Sequence, residues 1–190
     1  MSGDASSDPI LERSRQVLVG APPEKVDVVL VEYDPAWPQR FDLERRRIER
    51  ALAGRALSIE HIGSTSVPGL VAKPIIDICV AVEDSSEEAS YVPDLEAAGY
   101  ELRVREPDWH EHRMLRTAAH DVHVHVFTVG SSEIDRHLAF RDWLRNDDAD
   151  RDLYAATKRS LAQQDWPTMQ HYADAKTDVV LAILARAMRE

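Results

Sequence analysis

The chain has 190 residues, 44% of them hydrophobic and 30% charged, which suffices for one well-packed core beneath a soluble surface. With 23 Lys and Arg against 34 Asp and Glu the net charge is −11, which works against non-specific binding to nucleic acid phosphates. A single cysteine, Cys79, excludes an intrachain disulfide and fits a reducing cytoplasm; no apolar run approaches the roughly 18 residues of a membrane span, and the polar, acidic start MSGDASSDP is unlike a signal peptide.

Residues 1–25 read as a flexible extension rich in Ser, Gly, Asp and Pro, closed by Pro22-Pro23, with RQVLVG as a candidate edge strand. Residues 26–190 read as one domain. VDVVLVEY (residues 26–33) is apolar and β-branched, hence a strand, and DPAWP turns the chain into a helix that carries Phe41, Ile48 and Leu52 and stops at Gly54. The arginines of that helix, Arg45, Arg46, Arg47 and Arg50, alternate with Glu44 and Glu49 and read as a solvated face.

LSIEHI and PIIDICVAV are the next strands, followed by a short helix after Pro93 that ends near Gly99. YELRVRE, HRMLRT and DVHVHVFTV make three further strands, the last two joined at residues 118–120. From Ser132, paired with Asp135 as a capping box, the pattern turns helical through Leu153, Thr157 and Leu161 to Val180, Ile183, Leu184 and Ala187. Strands first and helices afterwards predict an α+β domain, a mixed sheet flanked by helices with a C-terminal helical segment.

Chemistry concentrates in IEHIGSTSVPGLVAKPIIDICVAV. A strand leads into Gly63-Ser64-Thr65-Ser66 and then a short helix, where small side chains and free backbone amides suit an anion, with His61 beside them as a further donor. Asp77 follows within an apolar strand. Alternation places Lys73, Ile75, Asp77 and Cys79 on one face, so that Lys73 neutralises phosphate and Asp77 holds a divalent cation, or the two simply pair.

HIGSTSVPGL with KPIIDI resembles the GrpB-like family of the nucleotidyltransferase-fold superfamily. YDPAWPQRF, HVHVF, LAFRDWLRN and the pairs YAATK and YADAK extend the resemblance over about residues 28–185. It implies a nucleotidyltransferase-like fold that binds a nucleoside triphosphate or another phosphorylated small molecule with a divalent metal (Mn, Zn or Mg), and transfer of a nucleotidyl group as the reaction. In that scheme Ser64, Lys73 and Asp77 are the catalytic residues. Gly63, Thr65 and Ser66 complete the phosphate cradle, and Arg141, Lys158, Tyr172 and Lys176 of the helical half close over the ligand.

The chain departs from the superfamily pattern at two points. Cys79 stands where a second metal carboxylate belongs, and the third acidic position falls in HVHV, at His123 and His125. These two share a strand face and with Asp77 form a two-histidine, one-carboxylate set suited to Zn²⁺, Mn²⁺ or Fe²⁺ better than Mg²⁺; the alternative is a pair that lines the cleft by hydrogen bonding. His110 and His112, in PDWHEHRM, read as surface histidines of a loop, and Trp109, Trp143 and Trp166 as core aromatics. The competing function is a non-catalytic module that senses a ligand or binds a partner on a degenerate nucleotidyltransferase fold. A transition-metal hydrolase built on Asp77, His123 and His125 is a third reading.

Overall fold

A computed structural model describes residues 8–22 and 27–189. Five strands form one mixed sheet: β1 (Ser58–Ile62), β2 (Ile76–Val82), β3 (Tyr100–Glu106), β4 (His112–Thr117) and β5 (Val122–Thr128), in the spatial order β1-β2-β5-β4-β3. All neighbours are antiparallel except β2 and β5, which run parallel at the centre. Between these two, Asp77 lies opposite His123 and Cys79 opposite His125, so one face of the sheet carries all four side chains.

The other face carries Ile76, Ile78 and Val80 of β2 with Val122, Val124 and Val126 of β5. It is covered by helix α2 (Trp37–Leu52) through Trp37, Ile48 and Leu52 and by α3 (Val92–Ala97) through Val92 and Leu95. The strict two-residue alternation of apolar residues in β5 explains why His123 and His125 are left on the opposite face: the valines between them are in the core.

On the histidine side lie α4 (Ser132–Asn146), α5 (Asp148–Ala162), α6 (Met169–Asp174) and α7 (Thr177–Ala187). Leu144, Tyr154 and Ile183 bind three of them to the loop residues Val67, Leu70 and Val71. Asp150 adds a polar clamp, accepting from Trp143 Nε1 at 2.7 Å and from both Arg186 nitrogens at 2.6 and 2.7 Å. Among the described residues no helix is long and apolar enough to cross a membrane.

Several local expectations change. Within the region read as a loose extension, residues 9–17 form helix α1 (Pro9–Val17), because Asp8 caps the amides of Ile10 and Leu11 and Pro9 opens the first turn. The candidate edge strand there shrinks to one bridge, Leu18 to Val104. The strand predicted over residues 26–33 is reduced to a single bridge from Val31 to Ala72; Pro23 and Val26 lie outside the described residues. Helix α4 is capped by Ser131, which accepts from the Glu133 amide, and not by Ser132 with Asp135.

Candidate functional site

A cavity of about 440 Å³ lies between the histidine face of the sheet and the C-terminal helices. Its floor is Asp77, His123 and His125. One carboxylate oxygen, Asp77 Oδ1, sits 3.4 Å from His123 Nδ1 and 3.7 Å from His125 Nε2, and the three groups offer ligand atoms within 4.8 Å of one another. Burial pushes the Asp77 carboxyl up, but the two imidazoles outweigh it and hold the group far below the usual carboxylate range. Gly63 is the wall behind it: at φ 69°, with no side chain, it lets Asp77 Oδ2 occupy the space a Cβ would take.

Three lysines also line the cavity. Lys158 is buried, donates to Ser64 Oγ at 2.9 Å and to the Val71 carbonyl, and lies 4.6 Å from the centre of the Tyr154 ring. Burial, and then the neighbouring cations Lys176, Arg159 and Lys73, bring its amine down to about 7. Lys176 stands 4.6 Å over the Tyr172 ring and is brought down to about 8, again by burial and then by Lys73. Lys73 donates to Met169 Sδ at 3.1 Å rather than pairing with Asp77, and burial lowers it as well. Tyr172 is buried in the cavity wall, and its hydroxyl has no partner among the described residues.

Of the residues expected at the site, Gly63, Ser64, Thr65, Lys73, Asp77, His123, His125, Lys158, Tyr172 and Lys176 all line this one cavity. The other three do not. His61 is buried beneath it, stacked on Phe41 at 4.7 Å with Nε2 3.0 Å from Thr65 Oγ1, and burial lowers it to about 4. Ser66 bonds the Gly63 carbonyl at 2.6 Å. Arg141 is held outside by Glu60 at 2.9 Å, Asp142 at 2.7 Å and the His61 carbonyl at 3.1 Å.

Two further corrections bear on chemistry. The segment after Gly63 is a three-residue 3₁₀ turn, Ser64–Ser66, closed by the Ser66 and Val67 amides, so it lacks the aligned peptides that give a helix an anion-attracting end. Strand β2 begins at Ile76, so Lys73 and Ile75 reach the cavity from the preceding loop and not by strand alternation.

Sequence reasoning missed two histidines. His137, on α4, lines the cavity and is lowered to about 4 by burial, followed by His125. His112, read as a surface residue, is the first residue of β4 and is buried: its Nε2 lies 3.0 Å from His125 Nδ1 and its Nδ1 2.8 Å from Glu106 Oε2. The alternation of HRMLRT already placed His112 in a strand, and the turn at residues 118–120 set that strand beside β5; what the sequence did not show is the burial of His112 between Glu106 and His125. A second cavity of about 310 Å³, under α1 and α6, shares only His123, His125 and Ala173 with the first.

Residues 27–186 match a family model described as GrpB protein. A UPF0157 protein of Halalkalibacterium halodurans is 55% identical over 177 residues, covering 93% of this chain and 91% of that protein. A dephospho-CoA kinase of Mycolicibacterium paratuberculosis is 31% identical over 186 residues, which span 84% of this chain but 44% of the kinase. The crystal structure of the conserved protein GrpB from Enterococcus faecalis superposes with a TM-score of 0.73 at 35% identity, over 85% of this chain and 98% of that one.

Proposed function

The chain belongs to the GrpB family, and from that premise we propose that its larger cavity binds a phosphorylated small molecule, foremost a nucleoside triphosphate, together with a divalent cation. The observation that carries this reading is the division of charge within one cavity. Lys73, Lys158 and Lys176 line it with no carboxylate within hydrogen-bonding reach of their amines among the described residues, and Asp77, His123 and His125 converge on the floor. Burial and mutual repulsion work against the charge of all three crowded lysines unless an anion joins them, and the ligand's phosphates supply that anion. Ser64 adds a hydroxyl at the same end.

One carboxylate and two imidazoles suit Zn²⁺ or Mn²⁺ better than Mg²⁺, which prefers an all-oxygen shell. Such an ion supplies neutralisation of phosphate oxygens and polarisation of phosphorus. The chain's own groups would orient the ligand: Lys158 and Lys176 would hold its terminal phosphates, and Lys73 would offset the charge that develops on them. The reaction consistent with this arrangement is transfer of a nucleotidyl group to an acceptor.

Cys79 favours a second reading. It stands at the superfamily's second carboxylate position, yet it packs with Ile62, Ala81 and Phe127 and does not line the cavity, and burial pushes its thiol up to about 12. A site with one metal carboxylate supports a ligand-binding module without turnover. A thermal-shift series of the four nucleoside triphosphates, each with Mn²⁺, Zn²⁺ or Mg²⁺, tests both: a ligand that binds the folded state raises the melting temperature. Stabilisation that needs metal and triphosphate together, with pyrophosphate release, supports the transferase. The same stabilisation without release supports the module, and no stabilisation by any pair overturns both.

A further inference from the structure

Behind His125 runs a line of three side chains that the metal-binding reading does not use. Glu106 ends β3 and His112 begins β4, and the antiparallel register sets the two opposite each other. Glu106 Oε2 is 2.8 Å from His112 Nδ1, and His112 Nε2 is 3.0 Å from His125 Nδ1. The two imidazoles are stacked at 5.2 Å with 14° between their planes, and His112 is stacked in turn on Phe127 at 4.8 Å. The side chains of His112 and Glu106 are only 7% and 17% exposed, so little solvent competes for these bonds.

The direction of the hydrogen bonds follows from what each group is able to donate. A carboxylate only accepts, so His112 Nδ1–H donates to Glu106 Oε2. A neutral His112 then offers a bare Nε2, and the nitrogen facing it, His125 Nδ1, must carry hydrogen. Asp77 Oδ1, 3.7 Å from His125 Nε2, lies beyond hydrogen-bonding distance and does not compete for the ring hydrogen, so the geometry leaves the Nε2 lone pair turned to the cavity. A histidine that ligates a metal through one nitrogen is commonly fixed by a partner on the other, and a carboxylate behind that partner makes the imidazole a stronger donor.

We infer that Glu106 and His112 are positioning residues that hold His125 in its Nδ1–H form, so that its Nε2 faces the cavity as a metal donor. The inference rests on the metal reading above. Among the described residues no side chain hydrogen-bonds the far nitrogen of His123, so the two histidines are unequal: His125 is oriented in advance by His112, whereas His123 is oriented by Asp77 itself.

The test uses the full chain, stripped of metal at pH 8, above the ordinary imidazole range. Nitrogen-15 spectra of the histidine rings are expected to show hydrogen on Nδ1 of His125. In His112→Phe, which keeps a flat ring against Phe127, His125 should revert to hydrogen on Nε2, and calorimetric affinity for Zn²⁺ should fall about 10- to 100-fold. Glu106→Ala should behave alike, whereas Glu106→Gln, whose amide oxygen still accepts from His112, should retain the tautomer and most of the affinity. Hydrogen on Nε2 of His125 in the unchanged protein would overturn the inference, as would undiminished Zn²⁺ affinity in His112→Phe with the tautomer switched. Failure of the unchanged protein to bind Zn²⁺ or Mn²⁺ would overturn the metal reading itself, a result separable from the tautomer measurement.

Discussion

A Cβ built on Gly63 would lie 2.5 Å from Asp77 Oδ2, 3.0 Å from its Cβ and 3.1 Å from its Cγ. The turn after β1 and the carboxylate of β2 therefore fit together only if residue 63 has no side chain. Because its φ is 69°, an L-residue there is also strained on its own account. Gly63→Ala should lower stability by about 1–3 kcal/mol and displace Asp77, so that Mn²⁺ affinity falls with it. Urea unfolding and calorimetry on the same variant check this; full Mn²⁺ affinity would show that Asp77 does not hold the ion from its observed position.

Asp77→Asn separates function from structure. Lys73 is engaged with Met169 Sδ, so loss of the Asp77 charge leaves no broken ion pair with that lysine. The Asp77 charge still meets the imidazoles of His123 and His125 at 3.4 and 3.7 Å, so the variant should lose no more than about 1.5–3 kcal/mol of stability in urea unfolding, the scale of a hydrogen bond to a charged group, while losing Mn²⁺ and Zn²⁺ binding. Destabilisation by several kcal/mol with metal binding unchanged would assign Asp77 a purely structural role.

Anion binding should weaken as pH rises. Lys158 and Lys176 lose their protons around 7 and 8, so both are largely charged at pH 6 and largely neutral at pH 9. Sulfate keeps its charge over this range and serves as the probe. Its dissociation constant, read by thermal shift, should rise by about tenfold or more between pH 6 and pH 9, since each lost contact to a charged group is worth about 1.5–3 kcal/mol. Lys158→Met together with Lys176→Met should flatten the profile, and a flat profile in the unchanged protein would count against the lysine cluster.

Acid should destabilise the metal-free protein through buried neutral histidines. His61 and His137 both fall to about 4 on folding, chiefly through burial, whereas a histidine in an unfolded chain titrates near 6.5. Between these values the unfolded chain binds more protons, so stability is fully present above about pH 6.5 and is lost as pH falls toward 4. The slope approaches about 1.4 kcal/mol per pH unit for each group. Urea midpoints at pH 7, 6 and 5 should show this decline, and His137→Phe should reduce it. A decline of equal slope in the variant would remove His137 from the account.

The sheet was legible because its strands carry period-two alternation bounded by turns: YELRVRE and HRMLRT form strands over the residues expected. The convergence of Asp77 with His123 was legible too, from parity and from apolar flanks that leave a polar residue only one face to occupy. What failed was long-range. The segment over residues 26–33 has strand propensity, but among its described residues, 27–33, the only β-pairing is Val31 with Ala72, since propensity does not supply a partner strand. Residues 9–17 were obscured by the Ser- and Gly-rich stretch before them, although Asp8-Pro9 is itself a helix-start signal. His112 and Glu106 are six residues apart in the chain, and nothing local says that a hairpin will bring one onto the other.

Cys79 gives the protein a built-in clock for opening of the layer packed on the sheet. Its thiol is 1% exposed, lies two residues beyond Asp77 on the same face and is the chain's only sulfhydryl. A thiol reagent reaches it only when the side chains packed over that face, among them Phe127, Ile134 and Leu138, move aside, so the modification rate counts excursions of the layer that covers β2. Anything seated on Asp77 slows that count without touching the sulfur.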